Sequence, residues 1–194
     1  MNSGKSTALL QVAYNYEERG QRILLIKPSV DTKGDNKVVS RLGSTRTVDF
    51  VVTPDMDLYT VLLNTLAERK AKGEPIDCVL VDEAQFLKRE QVDALFGIAV
   101  KDGVPVIAYG IRTDFQTEAF EGSRRLLEIA HSLEELKTIC RCGRKATLNG
   151  RKSSSGEWIK DGDQVAIDGE AVEYESLCGK CYLEKVNDFS LKTS

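Results

Sequence analysis

The sequence lacks several features that mark large classes of proteins. Its 194 residues include a single histidine, His131. They contain no long block of lysine and arginine, and the 27 basic residues are outnumbered by 30 acidic ones. The net charge of −3 argues against a large nucleic-acid interface. The longest apolar runs, such as 104–109, are far too short to span a bilayer. His131 lies at the end of a helical segment, so we interpret it as a solvated residue with no catalytic role.

The chain also lacks an apolar leader and the strand that precedes a complete phosphate-binding loop. Its first residues, MNSGKST, contain the end of the motif G-x-x-x-x-G-K-[ST] but neither the opening glycine nor an upstream strand. We therefore hypothesise an N-terminal truncation, with a start codon assigned too far downstream and the missing strand encoded in frame before it. Because no apolar segment precedes the loop, we expect no signal peptide and a cytoplasmic protein.

The part of the loop that is present has the chemistry of a phosphate site. Gly4 allows a tight turn, Lys5 would set a positive charge against the β- and γ-phosphates, and the Ser6 hydroxyl can bind Mg²⁺. A helix is predicted from residue 7, and its positive N-terminal end would face the same phosphates. The alternative is a helix that happens to begin with Gly-Lys-Ser. The residues predicted to bind ATP here are Met1, Asn2, Ser3, Gly4, Lys5 and Ser6.

Helical and extended segments alternate over the first 140 residues. The strands are continuous apolar runs, which is typical of a parallel sheet covered by helices on both faces. Polar, glycine-containing residues 31–47 are predicted to form a long loop. Beyond Cys140 the segments become short, and we divide the chain into domains 1–138 and 139–194. Strands are predicted at 22–27, 47–53, 76–83, 104–109, 136–140, 164–167 and 171–174, and helices near 7–20, 58–72, 88–101 and 120–130.

A buried strand ends in two carboxylates, Asp82 and Glu83. Asp82 at the carboxyl end of a strand beside a phosphate loop is suited to hold Mg²⁺, and Glu83 is free for proton chemistry. Glu83 could activate water, as in a phosphate-loop ATPase, or accept the proton of an attacking hydroxyl, as in a small-molecule kinase. Two solvated carboxylates at a strand end are the alternative, which the Gly-Lys-Ser start makes less favourable. A helicase is excluded, because two motor domains do not fit in this chain.

Four of the five cysteines form two close pairs, Cys140 with Cys142 and Cys178 with Cys181. Two such pairs predict a closed tetrahedral Zn²⁺ site with a structural role. A redox C-x₂-C motif is the competing interpretation, but a thiol switch would not need a second pair. Cys78 lies within an apolar strand and is predicted to be a small buried side chain.

These motifs, taken in order, resemble the thymidine kinase family of the bacterial and human cytosolic type over essentially the whole chain. The resemblance rests on the loop 1–7, the segment Lys27-Pro28 with Asp31-Thr32, the acidic box 81–86, the stretch 109–115 and the cysteine knuckle 139–146. It implies an α/β phosphate-loop (P-loop, RecA-like) kinase with a small zinc-containing lasso domain. In this family the activity is transfer of the ATP γ-phosphate to the 5′-hydroxyl of thymidine.

The resemblance also implies roles for individual residues. Glu83 would be the general base, Asp82, Ser6 and Asp31 would serve Mg²⁺, and Phe115 would stack on thymine. Asp168 departs from the family's Gly-Gly pair and is expected to alter the turn of the lasso loop. Feedback inhibition by dTTP and a homotetramer are implied as well. The ATP-binding set is extended by Asp82, Glu83, Ala84 and Gln85, and the thymidine-binding set comprises Phe115, Val165, Ala166, Ile167, Asp168, Gly169 and Tyr174.

Two other functions stay open from the sequence. One is a phosphate-loop ATPase, which would consume ATP without a nucleoside. The other is a non-catalytic nucleotide- or zinc-binding protein left by the truncation. Arg151 and Lys152 are interpreted as solvated residues, although Arg151 lies in a segment that could approach a phosphate.

Overall fold

A computed structural model describes residues 4–29, 37–39, 43, 45–165 and 172–186. This part of the chain forms two compact units. The sheet unit comprises residues 4–112 and 121–133, and the cysteine unit comprises 113–120 and the described residues from 134 onward. The cysteine unit thus includes residues 113–120, which the sequence division at 138 assigns to the first domain. Within the described residues, no helix is both long and apolar enough to cross a membrane.

The sheet unit is built on four parallel strands in the order β4-β1-β5-β6. Strand β1 is buried at every position, as the apolar run of its sequence predicts for a strand covered on both faces. Its neighbour β5 is equally buried, and the two are in register with Ile26 opposite Val81. The strands are β1 (Ile23–Pro28), β4 (Phe50–Val52), β5 (Cys78–Val81) and β6 (Val106–Ala108).

Helices cover both faces of this sheet because successive strand residues point to opposite sides. Leu24 and Ile26 belong to one apolar cluster, which includes residues of α2 and α3, whereas Leu25 and Leu80 belong to a second cluster, which includes Leu9 of α1. The predicted α/β class with a parallel sheet is therefore confirmed. The helices are α1 (Lys5–Glu18), α2 (Leu58–Ala71), α3 (Arg89–Lys101) and α4 (Glu121–Ile129), with a short 3₁₀ turn at Ala84–Phe86.

The long loop predicted at 31–47 is partly wrong. Two short strands, β2 (Lys37–Val39) and β3 (Thr45–Thr47), pair in antiparallel fashion there. Only Val38 is fully buried among their residues, so the apolar signal was too weak to distinguish this hairpin from a loop.

The cysteine unit contains a three-stranded antiparallel sheet in the order β8-β7-β9, followed by a helix. Gly150 lies in β7 where a Cβ atom would approach the Trp158 ring to 2.5 Å and the Leu177 side chain to 2.9 Å, so glycine is required there. The elements are β7 (Leu148–Lys152), β8 (Trp158–Ile159), β9 (Glu173–Leu177) and α5 (Gly179–Lys185).

The strand predicted at 136–140 is wrong, because the described chain forms only an isolated bridge there, between Ile139 and Lys145. Ile139 is 73% exposed, whereas Cys140 is 2% exposed, so the segment is not a strand that is buried along its length. The strand predicted at 171–174 corresponds to the start of β9 at Glu173. Of the strand predicted at 164–167, residues 164 and 165 lie in a bend, and the remainder is outside the described residues.

Candidate functional site

The N-terminus of α1 has the geometry that the loop motif predicts. Gly4 precedes the helix with φ of 68°, a left-handed conformation that favours glycine. Its carbonyl accepts the first helical hydrogen bond, from Ala8 N–H at 2.8 Å. Lys5 and Ser6 are consequently the first two residues of the helix, where the backbone N–H groups and the positive end of the helix dipole favour an anion.

The two predicted acidic residues follow β5 directly. Asp82 extends the pairing of β5 with β1, since its N–H donates to the Ile26 carbonyl at 3.0 Å. Its side chain is buried, and one carboxylate oxygen accepts the N–H of Glu83 at 3.0 Å. Glu83 adopts φ of 48° and ψ of 40°, a left-handed conformation that is uncommon for residues other than glycine. Such strained residues cluster at functional sites, which marks this turn as a candidate.

Lys5 and Glu83 are brought together by the fold, although 78 residues of sequence separate them. The Lys5 Nζ lies 3.4 Å from Glu83 Oε1, and the two side chains are only 10% and 20% exposed. An ion pair that is shielded from water in this way is stronger than a surface pair. It joins the N-terminus of α1 to the acidic turn at the carboxyl edge of the sheet.

Gln85 holds the Glu83 side chain in place. Its amide nitrogen donates to the Glu83 carboxylate, and its amide oxygen accepts the N–H of Ile111 at 3.3 Å. Gln85 is almost fully buried, so both partners are needed to satisfy its amide. Gly110 leaves room for it, because a Cβ atom there would lie 3.0 Å from the Gln85 amide oxygen. The Glu83 carboxylate is thus oriented by Lys5 and by Gln85.

Helix α4 packs closely on the same turn. A Cβ atom at Gly122 would lie 2.4 Å from the Ala84 carbonyl oxygen and 2.7 Å from that of Leu87, which no side chain could tolerate without a backbone shift. The Ala84 N–H donates to the Tyr109 carbonyl at 2.9 Å, and the Ser123 hydroxyl donates to the Ile111 carbonyl at 2.6 Å. The acidic turn is therefore fixed by the segment after β6 and by α4.

Several predicted site residues lie outside the described residues, and the structure gives no position for them. They are Met1, Asn2, Ser3 and Asp31 of the ATP-binding set, and Ala166, Ile167, Asp168 and Gly169 of the thymidine-binding set.

The four predicted cysteine ligands come together in the cysteine unit. Cys140 and Cys142 lie on a tight turn with Gly143 at φ of 85°, and Cys178 and Cys181 lie at the start of α5. The four sulfur atoms are all within 4.8 Å of one another, and Cys142 Sγ is 3.5 Å from Cys178 Sγ. Four thiolates around one tetrahedral zinc ion, at about 2.3 Å each, would be about 3.8 Å apart. The cluster is thus of the right size to hold a metal ion.

The thiols of this cluster change one another's pKa. Backbone hydrogen bonds from Cys142 and Cys178 lower the pKa of Cys140 to about 6. Hydrogen bonds with the Cys142 and Cys178 side chains raise the pKa of Cys181 to about 12. The cluster therefore favours ionisation of some thiols and resists it at others, and a divalent cation, if bound, would favour the ionised form of all four.

Phe115, the predicted thymine-stacking residue, is 1% exposed in the cysteine unit. Its carbonyl accepts a hydrogen bond from the Tyr182 hydroxyl at 2.6 Å. The residue before it, Asp114, shapes the turn, because one of its carboxylate oxygens accepts the N–H groups of Gln116 and Glu118. The backbone of Phe115 is thus fixed by a side chain of α5 and by the turn that follows.

Arg151 corrects an interpretation made from the sequence. It was interpreted as solvated, but it lies in β7 and is 3% exposed. Its guanidinium carbon is 3.9 Å from the centre of the Phe115 ring, and its Nε donates to the Tyr174 hydroxyl at 3.0 Å. No local pattern could have indicated this, because the partners lie 36 and 23 residues away in the chain. Val165, the first residue of the predicted lasso, is 36% exposed.

The fold and the site together define an α/β protein whose charged side chains meet at the carboxyl ends of parallel strands, where ligands bind in such folds. Comparison with known proteins identifies the family. A family model described as "Thymidine kinase" matches residues 1–182. The chain belongs to the thymidine kinase family, as its sequence motifs predicted.

Individual relatives agree with the family model. The thymidine kinase of Rhodopirellula baltica is 48% identical over 188 residues, which cover 96% of this chain and 85% of the relative. Those of Idiomarina loihiensis and Coxiella burnetii are each 48% identical, over 95% and 93% of this chain and over 92% and 89% of their own lengths. The predicted enzyme class, a kinase that phosphorylates thymidine, is thereby confirmed.

Proposed function

We propose that this chain transfers the γ-phosphate of ATP to the 5′-hydroxyl of thymidine, with Glu83 as the general base. The observation that carries the proposal is the 3.4 Å contact between Lys5 and Glu83. It unites a cation suited to the ATP phosphates with a carboxylate suited to the hydroxyl proton.

Glu83 is better suited than Asp82 to act as the base. Asp82 is the more buried of the two, and one of its carboxylate oxygens is engaged by the Glu83 N–H. The Glu83 carboxylate is oriented by Lys5 and Gln85. In the proposed reaction, the 5′-oxygen attacks the γ-phosphorus while its proton passes to Glu83. The bond between that phosphorus and the bridging oxygen breaks, and ADP leaves with the bond electrons.

ATP would bind across the N-terminus of α1 and the acidic turn. Lys5 would contact the phosphates, and the helix N-terminus would add backbone donors. The full proposed set is Met1, Asn2, Ser3, Gly4, Lys5, Ser6, Asp31, Asp82, Glu83, Ala84 and Gln85.

A magnesium ion would be held by Asp82 and Ser6, with Asp31 as a further ligand. A buried carboxylate at a strand end and a hydroxyl in the first turn of a helix are the oxygen donors that Mg²⁺ prefers. When bound, the ion would neutralise charge on the phosphates.

Thymidine would bind through Phe115 and Tyr174, together with the residues of the lasso. Phe115 offers a large planar ring whose backbone is fixed by Tyr182, which suits stacking on a base. The lasso residues in this proposal are Val165, Ala166, Ile167, Asp168 and Gly169.

The cysteine cluster would hold a structural Zn²⁺ ion. Four sulfur ligands with spacings close to those of a tetrahedral site support zinc over Mg²⁺ or Ca²⁺, which prefer oxygen ligands. Because such thiolates must stay reduced, we also propose a cytoplasmic location. The family resemblance further suggests inhibition by dTTP, a homotetramer and a division of roles between 1–138 and 139–194. Inhibition assays, light scattering and limited proteolysis test these three points.

The test is the consumption of ATP by the 194-residue chain with Mg²⁺, with and without thymidine, while thymidine monophosphate is followed. We expect turnover that depends on thymidine and yields one monophosphate per ADP. Steady ATP hydrolysis without thymidine would instead identify an ATPase. If no thymidine monophosphate forms in the presence of ATP, Mg²⁺ and thymidine, the proposed function is contradicted.

A further inference from the structure

Arg151 is a buried cation that no catalytic or binding role yet explains. It lies in β7, the central strand of the cysteine-unit sheet, directly opposite Tyr174 of β9. Only 3% of it is exposed. Burial of a guanidinium is costly unless its donors are satisfied, so its partners define what it does.

Those partners are a tyrosine hydroxyl, a backbone carbonyl and an aromatic ring, each far from Arg151 in the sequence. Arg151 Nε donates to the Tyr174 hydroxyl at 3.0 Å, and a terminal nitrogen donates to the Gln164 carbonyl at 3.0 Å. The guanidinium carbon lies 3.9 Å from the centre of the Phe115 ring, within the distance of a close cation–π contact. One side chain thus joins Phe115, Gln164 and Tyr174.

The neighbouring cation shows that this arrangement is specific to Arg151. Lys152 points to the other side of β7, where it pairs with Glu175 at 2.6 Å and lies over the Trp158 ring. A compact ammonium is sufficient for that partly buried pair, in which the side chains are 20% and 12% exposed. The fork of a guanidinium is needed at 151, because one planar group must stack on a ring and donate in two directions.

We propose that Arg151 is a positioning residue for the thymine base. This role depends on the proposed function, in which Phe115 stacks on thymine. The Tyr182 hydroxyl fixes the Phe115 backbone, and Arg151 fixes the plane of its ring. The same guanidinium donates to both Gln164 and Tyr174, so it also fixes the position of the Tyr174 ring relative to the Phe115 ring.

The test uses the full chain with Arg151→Met, Arg151→Lys and Tyr174→Phe. Arg151→Met keeps length but removes the stack and both hydrogen bonds, so the KM for thymidine should rise at least about tenfold. The KM for ATP should change less than about twofold, because the phosphate site lies in the sheet unit. Arg151→Lys should recover only part of the loss, and Tyr174→Phe should cause a smaller rise than Arg151→Met. Arg124→Met, at an exposed arginine of α4, is the matched control.

Calorimetric titration with thymidine accompanies the kinetics, and thermal unfolding checks each variant. A thymidine KM unchanged in a folded Arg151→Met protein would overturn the proposal. So would a rise in the KM for ATP instead, or an equal change in every kinetic constant together with a lower unfolding temperature. If the wild-type chain neither binds nor phosphorylates thymidine, the proposed function fails and the role of Arg151 fails with it. If only the proposed role of Arg151 is wrong, the wild-type chain still binds and phosphorylates thymidine.

Discussion

The sheet unit and the cysteine unit hold their residues in place by different means. The sheet unit buries apolar side chains on both faces of a parallel sheet, in two clusters that involve α1, α2 and α3. Among the described residues of the cysteine unit, the buried cluster has seven members, and three of them are cysteines. A unit with so small an apolar core depends on cross-links for its stability. The comparison therefore predicts that metal removal destabilises the cysteine unit, whereas substitutions in the apolar core destabilise the sheet unit.

The largest expected effect is loss of the cysteine unit in Cys178→Ala. Structural zinc contributes roughly 10–16 kcal/mol of apparent binding free energy at neutral pH, whereas Cys78→Ala in β5 should cost about 1–3 kcal/mol. Hydrogen exchange should show loss of protection in β7 and β9 but not in β1 and β5. A chelator should reproduce this pattern in the wild-type chain. Retained protection of β7 and β9 after chelation would contradict the dependence on metal.

The next effect concerns chemistry in the sheet unit. Glu83→Gln keeps the size of the side chain but removes the proposed base, so kcat should fall by about 10²–10⁴-fold while the KM for ATP changes little. The measurement is the initial rate of thymidine monophosphate formation. Glu90→Gln, an exposed position in the first turn of α3, is the control and should retain full activity. Near-normal kcat in Glu83→Gln would assign the base elsewhere.

Packing against the acidic turn is tested by Gly122→Ala. The added methyl group would meet backbone carbonyl oxygens that cannot rotate away, which should cost about 1–3 kcal/mol. The matched variant is Gly97→Ala in α3, where the methyl group meets only the edge of the Tyr59 side chain and alanine has the better helix propensity. Urea unfolding should separate the two variants. Equal stabilities would mean that α4 can move away from the turn.

A smaller effect is expected in the cysteine unit from Tyr182→Phe. This change leaves the Phe115 carbonyl without its hydroxyl donor and should cost about 1–2 kcal/mol. Tyr14→Phe, at a tyrosine that is 58% exposed, should change nothing measurable. Hydrogen exchange in α5 reports where the loss occurs. Unchanged protection in α5 would show that the hydrogen bond does not stabilise this unit.

The smallest effect is a pH dependence in the sheet unit. The hydroxyl and the N–H of Thr60 both donate to the Asp57 carboxylate, the N-cap of α2, and lower its pKa below 3.8. A lowered pKa in the folded state stabilises above the unfolded value and is lost as pH falls through the folded one. Below about pH 4 the unfolding temperature of the wild type should therefore fall relative to that of Asp57→Asn, because asparagine also caps the helix but does not titrate. A constant difference down to pH 2 would contradict this, and Asp55→Asn is the control.

The sheet unit was largely predictable because its signals are local. Continuous apolar strands, glycine helix stops and the Asp82-Glu83 pair each lie within a few residues of chain. The sequence predicts that Gly4-Lys5-Ser6 and Asp82-Glu83 share one site, and the fold brings Lys5 Nζ to 3.4 Å from Glu83 Oε1. Their joint role in binding ATP stays a prediction. The orienting role of Gln85 was not predicted, since it depends on Ile111 in another segment.

The cysteine unit was less predictable because its order depends on pairings across long stretches of chain. The cysteine spacing predicted the cluster, but β7 was missed, since its residues Leu148–Lys152 include asparagine, glycine and two cations. Its identity as a strand comes from pairing with β9, more than 20 residues away. The strand predicted at 136–140 is reduced to a short contact, in which the Cys140 N–H donates to the Arg144 carbonyl and the Ala146 N–H donates to the Thr138 carbonyl. The chain turns back within a few residues there, and so short a pairing does not extend into a sheet.

Residue 83 has two requirements, a side chain for the proposed chemistry and a left-handed backbone for the fold, and no amino acid is best suited to both. The proposed reaction requires a long carboxylate, whereas φ of 48° favours glycine or asparagine. Among variants without the carboxylate, stability should therefore decrease from Gly and Asn to Ala and then to Val. A selection for folding alone would discard glutamate at this position, and a selection for thymidine phosphorylation would restore it. Residue 83 is thus where the two selections oppose each other, and deep mutational scans under each would separate them.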